Sequence, residues 1–219
     1  MKRNYVSNKD ESTRMFKSNF MEFFSKVHPA VPVIIFLPVI LYLLDYSLFS
    51  IFMSVYHVIS FLVLGLFIWT ITEYLLHRFV FHFPPRGKIT SRIHFIFHGV
   101  HHDYPRDSRR LVMPPAVSIP LALSFYICFH FILGRIYSIP FFAGFLSGYL
   151  FYDITHYAIH HFNIQNGFFL FLKKHHMLHH YMDSTRGFGV SLPIWDIIYK
   201  TDFALTNKAV RKRTSSSDF

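Results

Sequence analysis

Twelve of the sixteen histidines in this 219-residue chain fall in four short blocks: "EYLLHRFVFH" (Glu73 to His82), "HGVHH" (His98 to His102), "DITHYAIHH" (Asp153 to His161) and "KKHHMLHH" (Lys173 to His180). Histidine serves as an acid–base group and as the commonest metal ligand, and only the second role calls for so many at fixed offsets. On a helix, residues three or four apart share a face. His98, His101 and His102 stand at offsets zero, three and four; His176, His179 and His180 repeat them, and His156 and His160 are four apart. Such offsets let two imidazoles from one helix close on one cation. Adjacent residues such as His101 and His102 point about 100° apart, which suits two metals better than one. With His77 and His82 the candidate ligands number ten: His77, His82, His98, His101, His102, His156, His160, His176, His179 and His180. Ten imidazoles exceed the coordination of one ion and suit a nitrogen-rich pair. Neutral imidazole favours zinc, copper, iron or nickel over magnesium or calcium, which want oxygen.

Two carboxylates stand at helical spacing ahead of candidate ligands, Glu73 before His77 and Asp153 before His156. Each is expected to accept the ligand's other ring N–H and so fix its tautomer. Asp103 and Asp107 are expected to pair with Arg106, Arg109 or Arg110 instead. His28, His57, His94 and His130 lie outside the blocks and read as ordinary hydrogen-bonded residues.

The blocks alternate with long apolar runs. Pro29 to Leu44 is uncharged and closed by Asp45; Tyr46 to Thr72 is uncharged and closed by Glu73. A second pair, Pro114 to Leu133 and about Ile136 to Tyr152, is joined only by Gly134 and Arg135. At about 1.5 Å per residue against a hydrocarbon core of about 30 Å, these runs are of spanning length, the first being short. Short connectors predict two helical hairpins that each enter and return on one side. Arg78, Arg86, Lys88, Arg92, Arg109, Arg110, Lys173, Lys174, Arg211, Lys212 and Arg213 all lie in the remaining polar regions. The positive-inside rule therefore predicts that both termini and every histidine block are cytosolic.

Composition agrees with a membrane protein: 52% of residues are hydrophobic, 20% aromatic and only 16% charged, against about 25% charged in an ordinary soluble domain. The net charge of +10 suits an anionic membrane surface better than nucleic acid, because the basic residues flank apolar runs. The single cysteine, Cys128, lies in an apolar run, which excludes a disulfide framework and a thiolate metal knuckle. Residues 1–27 are polar and basic and lack the core of a signal peptide. They predict a cytosolic segment with an interfacial helix around Phe16, Phe20, Phe23 and Phe24. Residues 28–203 then form one membrane domain, and 204–219 a basic, serine-rich tail.

The motifs "ExxxHRFVFH", "HGxHHxxPxDxxRLVxPP", "DxxHYxxHH", "KxHxxHH" and "FGVSxxxWD" together resemble the fatty acid 2-hydroxylases of the fatty acid hydroxylase and sterol desaturase superfamily. The resemblance covers about residues 20 to 200, and "RLVxPP" with "FGVSxxxWD" narrows it within the superfamily. It implies an all-α integral membrane protein: four transmembrane helices in two hairpins, capped on the cytosolic face by a histidine-lined dimetal site. It further implies insertion of one oxygen atom from O₂ at carbon 2 of a long or very-long-chain acyl group, free or within ceramide. The endoplasmic reticulum and a bacterial inner membrane both fit. The ten histidines carry over as ligands, leaving His161 and His175 as supporting or spare residues. Relatives with an N-terminal haem domain carry HPGG, whereas this chain has "HPAV" at His28 to Val31. The expected electron donor is therefore a separate protein of cytochrome b or ferredoxin type.

Attack on an unactivated C–H bond needs a redox metal, so iron is expected for activity. Zinc lacks a redox couple but binds such donors more tightly than iron, so it is expected as a possible occupant. Arg109 and Arg110 beside Pro114 and Pro115 are expected to meet a substrate headgroup or anionic lipid. Two other classes fit less well. A sterol- or carotenoid-modifying oxidase would share the histidine blocks. A zinc transporter would place histidines inside the spans, whereas these lie on one side of them.

Overall fold

The computed structural model describes residues 4–203, so the tail expected at 204–219 lies outside the described residues. It is all-helical, with no strand among the described residues. A short helix α1 (Asn19–Phe24) precedes α2 (Ala30–Asp45), α3 (Val55–Leu75), α4 (Lys88–His94), α5 (Val100–Asp103), α6 (Pro115–His161), α7 (Gly167–Tyr181) and α8 (Ile194–Ile198). Three π-helical turns extend or join these, at Tyr46–Ser50, Leu76–Phe81 and Phe95–Gly99.

Three helices are long and apolar enough to cross a membrane: Ala30–Ser50, Val55–Phe81 and Pro115–His161. The third, of 47 residues, is not one rod. Gly134 adopts φ 75° and ψ 171°, a backbone open to glycine and costly for any side chain. The two halves then pack antiparallel: the ring of Phe129 lies 4.7 Å from Phe141, Phe125 lies 4.9 Å from Phe145, and Tyr126 lies 5.1 Å from Phe142. The break expected at Gly134 is present, and its second half runs beyond Tyr152 to carry the third histidine block.

The first pair is corrected in one respect. Asp45 does not close the first apolar helix; it is exposed within it, and the helix continues through the π-turn to Ser50. A lone charge near the end of a span can face water and need not break helical hydrogen bonding. The turn falls at residues 51–54, where Ser54 caps α3 by accepting the His57 N–H.

The core lies where α3 crosses the second half of α6. A Cβ added at Gly65 would sit 1.9 Å from the Phe141 carbonyl oxygen, and one at Gly144 would sit 1.9 Å from that of Leu62. These glycines let two backbones touch, which is how apolar helices gain packing energy where lipid offers no hydrophobic drive. Trp69 fills the space beyond, its ring 5.1 Å from Phe145 and 5.4 Å from Tyr149. Above this bundle the shorter helices form a cap, and the N-terminal segment straps across it: the Val6 N–H donates to the Asp103 carbonyl at 2.9 Å, and Ser12 Oγ to Asp107 at 2.7 Å.

A helix is present close to the one expected around Phe16, as α1, which starts at Asn19. Phe20, Phe23 and Phe24 project from it exposed, while Phe16 precedes it and is half-buried.

Candidate metal centre

Ten histidines converge in two groups of five. One comprises His77, His82, His98, His102 and His179; the other comprises His101, His156, His160, His176 and His180. Within each group the facing ring nitrogens lie within 4.8 Å of one another. These are the ten candidates from the sequence, and the adjacent pair His101 and His102 divides between the two groups. Successive helical residues point about 100° apart, so α5 serves both groups with neighbouring side chains.

His77 and His82 needed a different device. At five residues apart on a regular α-helix they would point about 140° apart. The π-turn closes an i→i+5 bond, the His82 N–H donating to the His77 carbonyl at 3.1 Å, and a wide turn of this kind brings residues five apart onto one side. The turn at Phe95–Gly99 carries His98 likewise. The second group needs no such distortion, because α6 offers His156 and His160, and α7 offers His176 and His180, each four apart.

The ring nitrogens are too crowded for hydrogen bonding to be the account. His176 Nε2 lies 3.0 Å from Nε2 of each of His156, His160 and His180. A single ring nitrogen has one lone pair or one hydrogen, so it can serve one such neighbour and not three. His101, buried in the same group, has no hydrogen-bond partner for either ring nitrogen among the described residues. A cation shared by the five nitrogens satisfies both observations, and the donor set fits a borderline transition metal. Burial and the neighbouring rings hold His82, His98, His101, His176, His179 and His180 well below the ordinary histidine range, and His102 at about 3. Each ring is therefore neutral at pH 7 and offers a lone pair.

The supporting contacts differ from expectation. Glu73 and Asp153 are buried, yet neither accepts a hydrogen bond from a histidine ring. Glu73 Oε1 accepts the N–H groups of Val190 and Ser191 at 2.6 and 2.9 Å, and Ser191 Oγ donates to its other oxygen. The Nδ1–H of His77 donates to the Phe188 carbonyl, and that of His179 to the Arg186 carbonyl, both at 2.6 Å. The backbone carbonyls of Arg186 and Phe188 thus do what the carboxylates were expected to do. His175 supports the same loop, its Nε2 donating to Asp196 at 3.1 Å, whereas His161 stacks on Tyr157 at 4.5 Å outside both groups. Of the four histidines outside the blocks, His94 approaches closest, its ring 6.5 Å from that of His82.

An apolar cavity of about 680 Å³ opens beside the second group. His98, His101 and His156 line it with Tyr152 and Asp153, and its walls include Leu76, Val80, Val112 and Phe20, Met21 and Phe24 of α1.

Arg110 also borders this cavity, but its guanidinium is committed elsewhere. It is buried, donating to Glu22 and to the Thr13 carbonyl at 2.7 Å each, and lies 3.4 Å from Asp107. The headgroup role expected of Arg110 is corrected to a clamp on the N-terminal segment; Arg109 is exposed. Burial opposes ionisation of Glu22, but the N–H groups of Phe16 and Met15, with Lys26 and Arg110, outweigh it and hold the carboxyl at about 2. A carboxyl depressed from its usual 4.5 adds stability that is complete above that value and lost as pH falls through about 2. Hydrogen-exchange protection of residues 4–27, taken relative to the intrinsic amide rate at each pH, is therefore expected to fall between pH 5 and 3, with a shallower dependence in Glu22→Gln. Protection independent of pH in the unmodified chain would reject the clamp.

Comparisons with known proteins agree with this geometry. A family model described as fatty acid hydroxylase matches residues 62–201. The dihydroceramide fatty acyl 2-hydroxylase FAH1 of Arabidopsis thaliana is 38% identical over 203 residues, 92% of this chain and 84% of that protein. The ceramide very long chain fatty acid hydroxylase scs7 of Schizosaccharomyces pombe is 37% identical over 193 residues, 87% of this chain; the chain spans about half of that relative, 55%. A solved structure described as full-length scs7p, with only its hydroxylase domain visible, superposes with a TM-score of 0.77 at 38% identity, covering 84% of this chain and 70% of that one. A chain matched over most of its length, carrying ten converging histidines beside an apolar cavity, belongs to the fatty acid hydroxylase family.

Proposed function

We propose that this enzyme hydroxylates carbon 2 of long or very-long-chain fatty acyl groups, free or held in ceramide. The overall reaction takes the C–H bond, one O₂, two electrons and two protons to an alcohol and one water. The observation that carries this reading is the cavity: about 680 Å³ of apolar space reaching His98, His101 and His156, within the range of about 300 to 1,000 Å³ usual for small-molecule sites. Its mostly apolar lining suits an acyl chain, and His98, His101, His156 and Asp153 are among the polar residues on its wall.

Two non-haem metal ions would be held, one by His77, His82, His98, His102 and His179, the other by His101, His156, His160, His176 and His180. As redox ions, iron above all, they would supply the O₂ chemistry. The protein's part is to hold ten imidazoles in place, to keep water from the apolar cavity and to present the acyl carbon. Asp153, buried on the cavity wall, is read as the polar group that orients the substrate end nearest the histidines, and exposed Arg109 as a contact for anionic lipid. The two electrons would be supplied by a donor of cytochrome b or ferredoxin type.

Each half of α6 is read as its own crossing, giving four spans with α2 and α3. The break at Gly134 and the antiparallel aromatic contacts support this. The cap and both termini then face the cytosol, of an endoplasmic reticulum or a bacterial inner membrane.

Lipid mass spectrometry of cells with and without the gene provides the test. Expression is expected to raise 2-hydroxy acyl chains, recovered from ceramide, at least about tenfold over background. Hydroxylated sterols or carotenoids in place of 2-hydroxy chains would transfer the chain to another substrate class.

A further inference from the structure

The structure assigns Asp196 a positioning role at the first group of histidines, acting on His77 through a single peptide group. This rests on reading that group as a metal site. The segment Phe188 to Ser191 offers four consecutive backbone N–H groups, and two buried carboxylates take all of them. Phe188 N–H donates to Asp196 Oδ1 at 2.9 Å and Gly189 N–H to Asp196 Oδ2 at 2.7 Å. Val190 and Ser191 donate to Glu73.

The peptide unit that contributes the Gly189 N–H also carries the Phe188 carbonyl, and this oxygen accepts the His77 Nδ1–H. The two ends of a peptide are coupled by its resonance. A carboxylate at the N–H end draws density toward the carbonyl oxygen and makes it a stronger acceptor. A stronger acceptor at Nδ1 fixes the ring and raises the basicity of Nε2. Nε2 of His77 is the atom facing its group, 3.0 Å from Nε2 of His98. The line Asp196, peptide, His77 is thus a carboxylate–histidine pair with one amide inserted.

A second line ends in the same place. His179 donates to the Arg186 carbonyl, the Gly187 N–H of that peptide unit donates to the Thr201 carbonyl at 2.9 Å, and Thr201 Oγ1 donates to Asp196 Oδ1 at 2.7 Å. Burial opposes ionisation of Asp196, but bonds from His175, Thr201 and Gly189 outweigh it and keep the group a carboxylate. The second group is built differently: Nδ1 of His156, His176 and His180 has no protein acceptor among the described residues. Glu73 provides an internal control. Its donors, Val190 and Ser191, belong to peptide units whose carbonyls, on Gly189 and Val190, accept from no histidine. Glu73 holds the loop, and Asp196 reaches the ligand through it.

The experiment uses the purified full-length chain in detergent, loaded with zinc as a probe, and follows ion content and release to a chromogenic chelator. The unmodified chain is expected to hold two ions; binding of none would overturn the metal reading itself, and with it this inference. In Asp196→Asn one of the two ions is expected to leave about ten- to a hundredfold faster while the other keeps its rate. Glu73→Gln can still accept from Val190 and Ser191, and is expected to change either rate by less than about twofold. Thr201→Val removes only one donor from Asp196 and carries the test where Asp196→Asn does not fold, with about a threefold acceleration of one ion. Equal acceleration of both ions, no acceleration, or identical behaviour of Asp196→Asn and Glu73→Gln would overturn the proposal.

Discussion

Replacing His176 by alanine is expected to abolish hydroxylation, with a loss of at least about a thousandfold, or about 4 kcal/mol. No other histidine is so central. Its side chain is fully buried, and its Nε2 stands 3.0 Å from three other ring nitrogens. Removing it takes one of five donors from the second group and leaves a hole between α6 and α7. The control is His161→Ala, which alters the same histidine-rich stretch but lies outside both groups, stacked on Tyr157. His161 is half-buried but belongs to neither group, and its alanine variant is expected to retain activity within about twofold. Metal content separates chemistry from collapse: His176→Ala is expected to lose an ion while far-ultraviolet dichroism keeps its helical signal. Full turnover by His176→Ala would remove the second group from the reaction.

Much of this centre is legible in the sequence because helical offsets are geometry. His98, His101 and His102 declare a helix face by spacing alone, and the divergence of adjacent residues foreshadows the split of His101 from His102. What spacing hides is any departure from the regular helix. The offset of five between His77 and His82 has no meaning until the π-turn at Leu76–Phe81 is seen.

Two further features escape for a different reason. Carbonyl oxygens have no residue type, so nothing marks Phe188 and Arg186 as partners of His77 and His179. The nearest signal is "FGVSxxxWD", whose Ser191 donates to Glu73 and whose Asp196 accepts from Phe188 and Gly189. Arg110 looks like a membrane-boundary cation until Glu22, 88 residues earlier, is found beside it, and local pattern carries no information about such a pairing. Asp45 errs in the other direction. A charge after an apolar run reads as an end, yet an exposed side chain satisfied by water leaves the backbone helical.

Stripping the metals and restoring them one kind at a time should separate binding from chemistry. The ten imidazoles accept either iron or zinc, and the general affinity order for divalent ions favours zinc. Both reconstituted forms are therefore expected to hold two ions and to unfold at a higher temperature than the stripped protein, because any ligand of the folded state stabilises it by mass action. Activity should follow a different rule. Oxygen insertion at an aliphatic carbon consumes two electrons, and zinc has no accessible redox couple through which to pass them. The iron form, supplied with a reductant and an electron-donor protein, is expected to turn over, and the zinc form to fall at least about a hundredfold below it, about 2.7 kcal/mol. Stability and turnover then part company across the same set of ligands. Equal turnover of the two forms would sink the redox assignment while leaving the histidine groups as metal sites, and would direct attention to Asp153 and the cavity wall as the source of the chemistry.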